Sequence, residues 1–300
     1  MEALMNEVMM EAQAQVRQRT QPAQAGAPDW RGRLAEFLEA TKIEVVLGPD
    51  RTALAPFRLW TPPDHAPAGT LAQRDVLALM ESERLLVFLK ARQLGLSWLV
   101  CGFGVQQCVT TPGYPVLALS RGQLEANELI RRMAVLYHQH SDKQLPALTP
   151  DNPGELGWDG GSRVLSLAAT RNAARSFTAA LAILDEWAFM QWPAETLKAV
   201  KPTIDAGGKL FIISSADGQG SHYHQFWEQA KAGMNGYKAI FLPWSARPDR
   251  GPDWRDQKLA ESGGDVAGVL REYPANDIEA FTHAAGLVYA VWSDGPDDGN

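Results

Sequence analysis

Two adjacent carboxylates at the end of an apolar run are the first residues in this chain able to do chemistry. In LAILDEWAF, residues 181–189, four apolar residues lead directly into Asp185 and Glu186. A strand buried on both faces would deliver both acids at its C-terminal end, where parallel sheets bind ligands. There one acid could hold a metal ion while its neighbour orients and deprotonates an attacking water. The same pair also reads as the acidic start of a helix.

A second stretch, LLVFLKARQLGLSWLV at residues 85–100, has the form of a strand, a tight turn and a helix start. Such a turn meets phosphate with backbone N–H groups and the positive end of the helix. Gly95 supplies the permissive backbone position and Ser97 a hydroxyl for Mg²⁺. The pattern GxxxxGKS/T is broken twice, because Lys90 stands at the first glycine and Leu96 at the lysine. Lys90 and Arg92 are both placed to supply the missing charge. The alternative is a buried strand followed by a turn that merely contains Gly and Ser. A phosphate-type turn followed by an apolar strand ending in DE has the order of P-loop ATPases, which implies ATP and Mg²⁺.

The elements that must position these residues show as short apolar runs: LLVFLKA, PVLALS, RVLSLAA, LAILDEW, KLFIISSA and YKAIFLPW. Between them lie SWLVCGFGVQQCV, QLEANELIRRMAVLYHQH, AETLKAVKPTID and HYHQFWEQAKA, with apolar residues at helical spacing. This alternation predicts βαβ crossovers and an α/β fold: a three-layer α/β/α P-loop NTPase with a mostly parallel central sheet. The Pro- and Gly-rich loop LPALTPDNPGELGWDGG admits one antiparallel connection before RVLSLAA. Residues 1–50 read as an N-terminal helical appendage and linker, 51–290 as the ATPase domain, and 291–300 as a flexible tail.

The net charge of −7 argues against a surface uniformly attractive to nucleic acid, so any DNA contact must be local. The local excess of basic residues is Arg163, Arg171 and Arg175, with Arg131 and Arg132 upstream. Cys101 and Cys108 lie in one apolar helical pattern and read as buried residues. A chain without a signal-like start or a long uncharged apolar run is expected in the cytoplasm and not in a membrane. The HxH of SHYHQFW and the HQH at 138–140 lack the accompanying ligands of a zinc site.

With these motifs in order, the chain resembles the ATPase domain of the large terminase subunit of tailed bacteriophages, the motor that drives DNA into the capsid. KARQLGLSW resembles the family's variant Walker A, with a lysine at the front of the loop, and LAILDEWAF its Walker B. PVLALSRGQLEANELIRRM resembles the following strand and helix, FIISSADGQGSHYHQFW the coupling motif, and EYPANDIEAF the closing segment. The resemblance covers roughly residues 54–290.

It implies that Lys90 is the phosphate-sensing cation, that Arg92, Gln93 and Gly95 belong to the nucleotide-binding loop, and that Ser97 and Asp185 are Mg²⁺ ligands. Glu186 would be the catalytic base. Ser214, Ser215 and Ala216 would couple the γ-phosphate to movement, and Gln73 takes the approximate place of an adenine-reading glutamine. Arg175 falls where some members keep an arginine that reaches a neighbouring subunit's ATP, with Arg171 its nearest substitute. Implied partners are double-stranded DNA, a portal protein, a small terminase subunit and further copies in a homo-oligomeric ring, working in the host cytoplasm at the procapsid. The family's nuclease domain would follow where VYAVWSDGPDDGN ends this chain, and no nuclease activity is expected of it. Two other readings compete: a non-catalytic nucleotide-binding assembly scaffold, which the vacant lysine position favours, and a helicase-like remodelling ATPase, for which no further motifs follow.

Overall fold

The computed structural model describes residues 33–48 and 51–282. The expected N-terminal helical stretch up to residue 32 and the tail from residue 283 lie outside the described residues. The strands are β1 Lys42–Gly48, β2 Arg51–Pro56, β3 Leu85–Lys90, β4 Pro115–Ser120, β5 Leu148–Asn152, β6 Glu155–Trp158, β7 Arg163–Ala168, β8 Leu181–Asp185, β9 Lys209–Ser214 and β10 Lys238–Leu242. The helices are α1 Leu34–Glu39, α2 Gln73–Ser82, α3 Leu96–Thr110, α4 Gln123–His138, α5 Pro193–Val200, α6 His222–Lys231, α7 Trp254–Glu261, α8 Val266–Glu272 and α9 Asp277–Phe281.

Eight strands form one sheet in the order β10-β3-β9-β8-β4-β7-β6-β5. The first six are mutually parallel. All six apolar runs singled out in the sequence are these parallel strands. Their side chains alternate between two cores, as the two-residue period of a strand requires. Leu86 and Phe88 of β3, with Ile183 of β8 and Phe211 of β9, pack under α1 to α4. Val87, Leu89, Leu184 and Ile212 face the opposite core, with Val200 of α5 and Tyr223 and Trp227 of α6. The three-layer α/β/α architecture with its mostly parallel sheet is therefore present.

The antiparallel element lies inside the segment read as a loop. There β5 and β6 form a hairpin whose second strand pairs antiparallel with β7, while β7 itself runs parallel to β4. Packing also starts before residue 51. Leu34, Phe37 and Leu38 of α1 are fully buried in the core, and a Cβ at Gly102 of α3 would overlap the Leu38 side chain. Glycine at that position lets α1 approach α3 closely, and each buried apolar side chain contributes about 1.5–3 kcal/mol. Cys101 and Cys108 are buried on the same helix, as their pattern predicts. Among the described residues, no helix is long and apolar enough to cross a membrane.

Candidate active site

The C-terminal ends of β3 and β8 open into a cleft of about 1070 Å³. Strand β9 lies between them, so the loop after β3 and the acids after β8 face each other across the end of one intervening strand. Lys90, Arg92, Gln93, Gly95, Ser97, Gln73, Asp185 and Glu186 all line this cleft. Residues separated by nearly a hundred positions in sequence thus share one cavity.

The loop is shaped by its backbone. Gly95 has φ +74° and caps α3, and a Cβ there would press on Gln73 Nε2 at 3.2 Å. Within the described residues, the backbone N–H groups from Gln93 to Ser97 have no hydrogen-bond partner. A run of free amides at a helix start is an anion-binding surface. Leu96, at the lysine position of the usual pattern, is 1% exposed and packs in the core, where it anchors the first turn of α3.

Gln73 is buried and braces the loop: its Nε2 donates to Leu94 O at 3.2 Å, and its Oε1 accepts from Trp60 N at 3.2 Å. Arg92 pairs with Glu272 of α8 through its side chain, and its N–H donates to Glu272 O at 2.9 Å. Two residues that the sequence did not single out complete the brace. Arg247 donates to Gln93 O at 2.9 Å. Arg250 is buried, lies 4.3 Å from the Trp254 ring, and donates to Arg92 O at 2.8 Å. Their contacts span about 155 residues of sequence, and no local spacing announces them.

On the opposite wall, Glu186 adopts a left-handed backbone, φ 53°, which turns the chain sharply after Asp185. Three non-glycine residues have positive φ among the described residues: Gln93 in the loop, Ala174 before Arg175, and Glu186. Such strain persists only where surrounding structure imposes it, and here each instance falls at or beside an expected site residue. Lys90 Nζ lies 3.8 Å from Glu186 Oε1, and the lysine side chain is only 8% exposed. The Asp185 carboxyl is pushed up to about 6, first by burial and then by the adjacent Glu186 charge, against the pull of Lys90 and Arg132. Its Oδ1 is buried with no hydrogen-bond partner.

The acids connect to the far layer. Ala188 N donates to Ser214 Oγ at 3.2 Å, Ser120 Oγ donates to Asp185 O at 3.3 Å, and Tyr223 OH donates to Phe88 O at 2.7 Å. Trp187 packs edge-on against Tyr223 and Phe226 of α6. Ser214, Ser215 and Ala216 are buried at the end of β9 and do not line the cleft, although Ser215 Oγ has no partner.

Residues 87–280, well over half of the chain, match the family described as terminase large subunit, T4likevirus-type, N-terminal. The chain belongs to this terminase large-subunit family. The matched residues are the family's N-terminal ATPase domain, part of a DNA-packaging motor. The fold is shared with the large terminase ATPase domain of Thermus phage P74-26, at 18% identity, covering 72% of this chain and 99% of that one with a TM-score of 0.51. The large terminase of bacteriophage HK97 matches at 19% identity over 77% of this chain, TM-score 0.55, and this chain spans 47% of its length. The large terminase of a thermophilic bacteriophage, in complex with ADP, matches at 10% identity over 62% of this chain and 48% of its own, with a TM-score of 0.51.

Two arginines of this terminase domain stand outside the cleft. Arg171 lies 3.7 Å from the Trp192 ring and is committed to that stack. Arg175 is exposed, and its guanidinium has no partner among the described residues.

The raised Asp185 value has a consequence for stability. Because the folded-state value exceeds the ordinary 3.8, ionising Asp185 costs the fold. Its stabilising share is complete below about pH 4 and is lost as pH rises through about 6. In buffer without nucleotide or Mg²⁺, Asp185→Asn should therefore melt a few degrees higher than wild type at pH 7, on the order of 2–3 kcal/mol, with the gap closing towards pH 4. Thermal melts across that pH range check this, and a lower melting temperature for the variant at pH 7 would show the buried charge to be stabilising instead.

Proposed function

We propose that residues 51–290, together with α1 and β1, form the motor unit that hydrolyses ATP to translocate double-stranded viral DNA into a procapsid. The observation that carries the reading is the convergence of Lys90, Ser97, Asp185 and Glu186 on one cleft beside a run of unbonded loop amides. Phosphate binds these amides, and Lys90 adds the charge. Arg92 is tied to Glu272, which favours Lys90 for that role.

The orphaned Asp185 Oδ1 and the Ser97 hydroxyl fit a hard divalent cation, so these two residues would hold Mg²⁺. When bound, the ion would supply neutralisation of phosphate charge during the transfer. Glu186 orients a water and takes its proton as the water oxygen bonds the γ-phosphorus and the bond to the β–γ bridging oxygen breaks. When triphosphate draws Lys90 away from Glu186, the glutamate is released to act as base. Ser215, buried and unpartnered beside the loop strand, and Ser214, bonded to the turn after Glu186, pass the change to α6.

Arg175 acts in a neighbouring subunit's site, since it does not line the cleft of its own chain. The remaining proposed partners are a portal protein and a small terminase subunit, with the assembly at the procapsid in the host cytoplasm. A guanidinium finger contributes about 10³–10⁵-fold to phosphoryl transfer. Arg175→Ala should assemble but lose hydrolysis by that order. Mixed with the equally inactive Glu186→Gln, it should regain activity, because an Arg175→Ala site then receives its arginine from a Glu186→Gln neighbour. Mixed assemblies that stay inactive while both variants remain assembled would refute action between subunits. Tight ATP binding without turnover by wild type, even with DNA and the partner proteins, would favour the scaffold reading.

A further inference from the structure

A triphosphate carries several negative charges, and with Leu96 buried and Arg92 paired with Glu272 the loop leaves it Lys90. Five basic side chains line the cleft: Arg58, Lys90, Arg92, Arg132 and Arg247. Arg92 and Arg247 are held by Glu272 and Asp249 and brace the loop backbone. Arg58 is exposed on the segment that follows the β1–β2 hairpin.

Arg132 is placed differently. It projects from α4, with its guanidinium 5.8 Å from the ring of Trp98, the residue that follows Ser97. Its Nε pairs with Glu128 Oε1 at 3.2 Å. Glu128 does not depend on this contact, because Arg131 donates to the same carboxylate through Nε at 2.6 Å and Nη2 at 2.8 Å. Arg131 also reaches Glu44 of β1 at 2.6 Å, which fixes it in place. One arginine is thus locked, and its neighbour shares a carboxylate that is already neutralised. Exchanging Glu128 for another anion would leave no carboxylate unpaired.

We propose that Arg132 is a phosphate-contacting residue acting within its own subunit: it leaves Glu128 and donates to the γ-phosphate of ATP bound at the loop. The inference rests on the reading of this cleft as the nucleotide site. The metal-and-phosphate end of the cleft is favoured over the base end by geometry: the Arg132 guanidinium lies over the ring of Trp98, next to Ser97 on the first turn of α3.

Titration calorimetry of the full chain with ATPγS and with ADP, both with Mg²⁺, tests the assignment. Arg132→Ala should lose roughly 10- to 100-fold in ATPγS affinity, the range for a charge-assisted hydrogen bond, and less than about 3-fold for ADP. Arg132→Gln, which keeps the stem over Trp98, should show the same selective loss and serves if the alanine variant folds poorly. Glu128→Gln should bind ATPγS at least as tightly as wild type. Unchanged ATPγS affinity in the Arg132 variants, or an equal loss for both nucleotides, overturns the inference while leaving the nucleotide site intact. Failure of wild type to bind either nucleotide would overturn the site reading and this inference with it.

Discussion

Glu186→Gln is expected to bind ATP at least as tightly as wild type while hydrolysing it about 10²–10⁴-fold more slowly, the usual contribution of a positioned general base. The two effects share one cause. Removing the Glu186 charge frees Lys90, now 3.8 Å from Glu186 Oε1, to face the phosphates throughout the cycle. It also removes the carboxylate neighbour that helps hold Asp185 protonated, so Asp185 ionises more readily and is better prepared to hold Mg²⁺. Loss of the base then appears in kcat and not in KM. Steady-state turnover beside equilibrium nucleotide binding, on protein assembled with DNA, separates these effects. Hydrolysis at the wild-type rate would remove Glu186 from the role of base.

Lys90→Ala should weaken ATP binding by roughly 10²–10³-fold. The lysine side chain is 8% exposed and sits between the loop and two adjacent carboxylates, so its removal takes a cation from the phosphates and removes the cation paired with Glu186 beside Asp185. Breaking a buried pair on one side is costly for this reason. Lys90→Met, which keeps the alkyl stem, distinguishes lost charge from lost packing and should show most of the same loss. Arg92→Ala should cost less than about 10-fold, because Arg92 is occupied with Glu272 and its backbone contacts survive the substitution. The reverse ranking, with Arg92→Ala severe and Lys90→Ala mild, would transfer the phosphate-binding role to Arg92.

Much of this arrangement was legible because it depends on local physics. A run such as LLVFLK is apolar on both faces, so it has to become a strand covered by helices on both sides, and Leu86 and Val87 do enter opposite cores. Gly95 before an apolar helical stretch could be read as a tight turn, since its φ of +74° is one that glycine adopts without strain. The hairpin β5–β6 was less accessible: LTPDN is mostly exposed and reads as loop, and only its pairing with β6, which in turn pairs with β7, makes it a strand. The helix α1 reads in sequence as part of an appendage, because no pattern there shows that Gly102 leaves room for Leu38.

By itself, the sequence determined the six parallel strands, the phosphate-type turn, the acid pair and the family, since each is written in neighbouring residues whose spacing has a direct conformational meaning. Only the tertiary structure decided the strand order that seats β9 between the loop and the acids, the commitment of Arg92 to Glu272, and the bracing by Arg247 and Arg250. The same is true of Arg132, which reads in sequence as half of a basic pair on a helix and in the fold lines the cleft over Trp98. The physical reason is distance along the chain. Charges separated by many tens of residues acquire partners only when the sheet closes, and which cation remains available to a ligand depends on which carboxylates the others have already found.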